Sequence, residues 1–164
     1  MNNSENKEHR PNISDSIRHI QSLSMEEKLS LTDTIFEKQP KLLLEVVGLS
    51  KANIPPEKIE HLLFLLMVFY DYFHDQRKTS LPEASYKMVD DAYKNNQSMI
   101  KLMDKEEPSL MMKGAMAYPE IEALTFMCGY LNEKGFTSES VENEHCTNTA
   151  KMVLDVFAKL KTGK

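Results

Sequence analysis

From Asn12 onward, apolar side chains recur at helical spacing and no strand-like alternation runs beyond four residues. Pro40, Pro55, Pro56, Pro82, Pro108 and Pro119 cut this pattern into segments. A short helix carries Ile13, Ile17 and Ile20. Ser24, with Glu27 three residues later, has the form of a capping box, in which side chain and backbone at a helix start satisfy each other. Behind it, Met25, Leu29, Ile35 and Phe36 line one side of a helix that runs to about Lys38. Pro40 suits a first helical position, where its missing N–H costs nothing. The segment Lys41–Ser50 then holds Leu42, Leu43, Leu44, Val46, Val47 and Leu49, with almost no polar face.

Pro55 and Pro56 open the longest helix, which reaches about Lys78. Ile59, Leu62, Leu63, Leu66, Phe69, Tyr70 and Phe73 fall at offsets 0, 3, 4, 7, 10, 11 and 14. Because Phe64, Leu65, Met67 and Val68 fill its other faces, this helix needs cover on most sides and is expected at the centre. Leu81 and Pro82 start an outer helix with one stripe of Tyr86, Val89, Tyr93, Asn96, Ile100 and Met103. A turn or brief helix follows over Ser109–Ala117. Another helix runs from Pro119 to about Lys134 and stops at Gly135. Ser138 is expected to cap the last helix, whose buried side holds Val141, His145, Met152, Val153, Val156, Phe157 and Leu160.

The fold expected is all-α: one compact domain of six to eight helices around a central apolar helix, spanning residues 12–164. Met1–Pro11 is a polar segment whose one apolar side chain is Met1. It cannot repay the entropy of ordering and is expected to be a disordered tail. A composition of 41% apolar and 27% charged residues is ordinary for a globular domain of 164 residues.

Charge narrows the choice of partners. The net charge is −5, and the basic residues are interleaved with acids, so nothing favours a phosphate backbone. Lys151, Lys159, Lys161 and Lys164 complement the C-terminal end of a helix dipole. A helix-turn-helix over Leu44–Ile59 fails because Pro55 and Pro56 would fall inside its recognition helix. Nucleic acid is therefore not expected as a partner. The longest apolar run, Leu62–Tyr70, has nine residues, well short of the roughly 20 that span a bilayer. No membrane partner is expected either. Cys128 and Cys146 stand alone without zinc-type spacing, and the N-terminal residues hold no secretory h-region; two free thiols in a reducing cytoplasm are expected.

Candidate chemistry is sparse. Glu142 and His145 have the Glu-x-x-His spacing of helical di-iron bundles, and Asp71 with His74 has a related one. Such a centre needs further carboxylates that repeat the spacing, and Glu57, Glu60, Glu122 and Asp155 do not. His145 also falls on an apolar stripe. Cys146 follows His145 directly, but neighbouring helical residues point about 100° apart and cannot form a dyad. Gly-rich phosphate loops, the Gly-x-Ser-x-Gly elbow and the His-Glu-x-x-His pattern are missing from the sequence.

Methionine is the departure from the ordinary. Of eleven, Met99, Met103, Met111, Met112, Met116 and Met127 crowd into one stretch. Thioethers adapt their shape cheaply, as core filler or on surfaces that accept other helices. The helix after Pro119 is apolar twice over: Ile121, Leu124, Cys128 and Leu131 form one stripe, and Ala123, Phe126, Met127 and Tyr130 another. Its second stripe must meet another helix of the chain or a partner. Gly129, costly in a helix, would suit close approach of a second backbone. The sequence thus predicts a non-enzymatic interaction or regulatory protein. A protein partner, or a second copy, would dock on Met111, Met112, Met116, Phe126, Met127 and Tyr130. No cofactor is expected. The alternative is a small metal- or ligand-binding bundle, or an enzyme, built on Asp71, His74, Glu142 and His145.

Overall fold

A computed structural model describes residues 12–76, 80–103, 117–136 and 139–163. The expected tail Met1–Pro11, the stretch Ser109–Met116 and the Ser138 cap lie outside the described residues. Within them the chain is all-helical: α1 (Ile13–Ser22), α2 (Met25–Lys38), α3 (Pro40–Val47), a 3-10 turn (Gly48–Ala52), α4 (Pro56–Gln76), α5 (Tyr86–Met103), α6 (Ile121–Glu133) and α7 (Val141–Thr162). The helices pack together as one compact domain. None of the described helices is long and apolar enough to cross a membrane.

Local chemistry sets most of the boundaries. The Asn12 side chain accepts from the Asp15 amide at the start of α1. At α2 the capping box is complete, with the Glu27 amide donating to Ser24 Oγ (3.2 Å) and the Ser24 amide to the Glu27 carboxylate (2.7 Å). These bonds, chiefly the one to the backbone, hold the Glu27 carboxyl below its ordinary pKa. Pro40 stands at the first turn of α3. Gly135, at φ +83°, ends α6 with a bond from the Phe136 amide to the Leu131 carbonyl (2.9 Å), the six-to-one closure that a left-handed glycine permits.

Two boundaries differ from expectation. The segment from Leu81 does not begin a helix, because Gln39 holds it from outside: its amide N donates to the Pro82 carbonyl (2.8 Å), and its amide O accepts from the Ala84 N–H (2.9 Å). Helix α5 starts only at Tyr86, where Ser85 Oγ accepts from the Met88 amide. The last helix is capped by Ser140, whose Oγ accepts from the Asn143 amide (3.0 Å). Val141 is then a first-turn residue turned to solvent, 84% exposed, not a member of the buried side.

The interior has two central helices where the sequence predicts one. Helix α4 packs against α1, α2, α3 and α7, and α7 packs against α5 and α6 as well. Leu62, Leu65, Leu66, Phe69 and Phe73 of α4 meet Met152, Leu154, Val156 and Phe157 of α7 in one core, all essentially inaccessible to water. The rings of Phe73 and Phe157 stack at 5.7 Å, and Tyr70 sets its edge against Phe157. Each such buried side chain contributes about 1.5–3 kcal/mol relative to exposure.

Candidate docking surface

Helix α6 meets α1 and α7, and reaches α4 through Tyr130, so the stripe of Ala123, Phe126, Met127 and Tyr130 faces the same molecule, while in the other stripe Leu131 is buried and Ile121 and Cys128 are exposed. Met127 is 2% exposed and belongs to the core with Ala123 and Leu131. A docking role for Met127 is thus corrected. Tyr130 is half-buried, stacked on Phe64 (5.1 Å), with its hydroxyl 2.8 Å from His61 Nδ1. Burial, helped by Glu133, pushes its pKa up to about 12. Phe126 is also half-buried, tilted against Tyr130 at 5.8 Å. Gly129 is exposed, and a Cβ built there would touch nothing within 4 Å, so no second backbone comes close. Met111, Met112 and Met116 lie outside the described residues.

The four candidate metal ligands do not converge. Asp71 accepts from the His19 imidazole (2.8 Å), and His74, exposed, stacks on Tyr70. Glu142 pairs with Lys58 (3.2 Å), and half-buried His145 sets its ring edge-on to Tyr93. Lys58 sits in the first turn of α4. Asp71 is thirteen residues further along that helix, about 20 Å at 1.5 Å per residue. Although α4 and α7 do pack together, the two pairs are therefore far apart. Among the described residues no three His, Cys, Asp or Glu side chains are placed to share a metal ion.

Other polar groups serve as anchors. Tyr118 donates to Asp155, which Lys151 also pairs (2.6 Å), while Lys161 pairs buried Glu120 (2.7 Å). Burial, followed by the charge of Asp155, drives the Tyr118 hydroxyl far above its ordinary pKa. These contacts pin the turn before α6 to α7. Cys146 is buried and Cys128 exposed; desolvation raises both thiols, with Lys151 opposing at Cys128 and Lys58 at Cys146. Neither thiol is activated as a nucleophile. An open cleft of about 610 Å³ between α1 and α6 is floored by Ile13, Ile17, Ile121 and Phe126. Glu122 is the one titratable side chain among its described lining residues.

Exposed large apolar side chains occur on several helices, Ile121 of α6 and Tyr86 of α5 among them, and three of them stand in one row on α2. Met25, Leu29, Thr32 and Phe36 stand at offsets 0, 4, 7 and 11, within about 60° of one another at 100° per residue. Met25 is 73% exposed, Leu29 61% and Phe36 54%. The side of α2 that faces the core is a different row, Leu31 and Ile35, roughly 100° around the helix. The sequence reading merged the two rows by placing Ile35 with Phe36. Neighbouring α3 buries Leu42, Leu43 and Val46 but leaves Leu44 and Val47 outside. Spacing alone could have separated the α2 rows; which of them lacks a neighbour is tertiary information. No family model, curated protein or solved structure matches this chain.

Proposed function

We propose that this chain is a helical interaction protein that docks a protein partner along the outer row of α2. One observation carries the reading: Met25, Leu29 and Phe36, with half-buried Thr32 between the last two, line one side of α2 in water, on a helix whose core row is already filled. Single exposed apolar residues are ordinary on any protein. Three large ones aligned on one side of a helix over three turns are a less ordinary feature, of the kind found at interaction sites. The row also has the spacing with which one amphipathic helix lies along another.

The reading is tested with a neutral amphipathic helical peptide of Leu, Ala and Gln, titrated into the full chain and followed by amide NMR. Shifts concentrated in residues 25–36 are expected. The double variant Leu29→Gln/Phe36→Gln should bind at least about tenfold more weakly, the loss of about 1.4 kcal/mol or more, with its helix content unchanged. Shifts confined to other helices, or equal affinity for the double variant, would contradict it.

A further inference from the structure

Resting on the docking reading of α2, we infer that the partner presents an amphipathic helix with a basic edge, Lys or Arg beside its apolar face. The apolar row of α2 has two flanks. One is the core side, Leu31 and Ile35, closed by the chain itself. The open flank carries Glu26, Asp33 and Glu37, all exposed, at offsets that place them within about 40° of one another. A helix laid along Met25, Leu29 and Phe36 therefore has one free edge, and three carboxylates line it.

Several acids elsewhere in the fold are already engaged. Glu83, Glu120, Glu142, Asp90, Asp91 and Asp155 each pair with a lysine, Asp71 meets the His19 imidazole, and Glu27 holds the α2 cap. Among the described residues Glu26, Asp33 and Glu37 have no ion pair, as is also true of Glu45, Glu57, Glu60, Asp75, Glu122, Glu139 and Glu144, but these three stand in one exposed row beside the apolar row of α2. Their charge is available to a partner.

A second copy fits this surface poorly. An antiparallel pair related by a twofold axis sets the acidic row against its own image. A parallel pair turns each acidic row toward the body of another molecule of net charge −5. Opposite charge on the partner removes this repulsion and selects orientation.

Three helical peptides with the same Leu face and edges of Lys, Gln or Glu separate the possibilities when titrated into the full chain. The Lys-edged peptide should perturb residues 25–36 and bind about tenfold more tightly than the Gln-edged one, three exposed pairs being modest individually. That gap should shrink between roughly 0.05 and 0.5 M salt. The variant Glu26→Gln/Asp33→Gln/Glu37→Gln should abolish the gap and leave affinity for the Gln-edged peptide unchanged. Equal affinities of all three peptides at α2 would overturn the basic-edge inference and leave the docking reading intact. Failure of all three to perturb α2 would overturn both. A dimer seen by sedimentation equilibrium and dissolved by Leu29→Gln would replace the partner helix with a second copy and so overturn the inference.

Discussion

Phe157→Ala is expected to lower the unfolding free energy by about 3–5 kcal/mol, the usual cost of emptying a buried aromatic site. Phe157 is fully buried, stacked on Phe73 and touched by the edge of Tyr70, so its ring joins the two central helices. The surroundings cannot collapse easily into the void, because α4 and α7 are each packed against further helices. A domain of this size holds only about 5–15 kcal/mol in total. The variant should therefore unfold at far lower urea, and Phe157→Leu, which keeps most of the volume, should lose less. Loss below about 1 kcal/mol for the alanine variant would mean that α7 is not central.

The second large effect is expected at Gln39, which the structure buries completely between α2 and α3. Its side-chain amide bonds the Pro82 carbonyl and the Ala84 N–H, tying the α2–α3 junction to the segment before α5. Gln39→Leu keeps the apolar contacts of the stem but leaves two backbone groups without their partner. The buried Ala84 N–H costs about 1–3 kcal/mol when left unsatisfied, and the Pro82 carbonyl, whose bond is only part-buried, costs less, so a loss of about 2–4 kcal/mol is expected. The Ala84 amide should also exchange with solvent much faster than in the parent protein. Unchanged stability together with unchanged exchange at Ala84 would show that Gln39 holds nothing.

Gln39 also marks the limit of what the sequence discloses. Signals that act within a few residues are legible: the Ser24–Glu27 box, Pro40 at a helix start, the prolines before α4 and the glycine after α6 all act locally. Leu81–Pro82 has the same local form yet is not a helix start, because a side chain 43 residues away takes the backbone groups concerned. Periodicity in α4 and α6 correctly marks apolar faces. It does not state what covers them. The stripe of Ala123, Phe126, Met127 and Tyr130 in α6 looks like unclaimed surface until α1, α4 and α7 are placed around it, whereas the α2 row looks like core until its neighbours are placed elsewhere. The pairs Asp71–His74 and Glu142–His145 have the right spacing within each helix, but their separation along α4 appears only once Lys58 is found beside Glu142.

That the outer row of α2 is free of the other described residues of its chain is tested most directly by the unfolding free energy of Met25→Gln/Leu29→Gln/Phe36→Gln. Side chains that stand in water contribute little to folding, so the triple variant should stay within about 0.5 kcal/mol of the parent in urea denaturation. A loss of several kcal/mol, the signature of apolar groups packed inside the molecule, would contradict the assignment of this row as a docking surface.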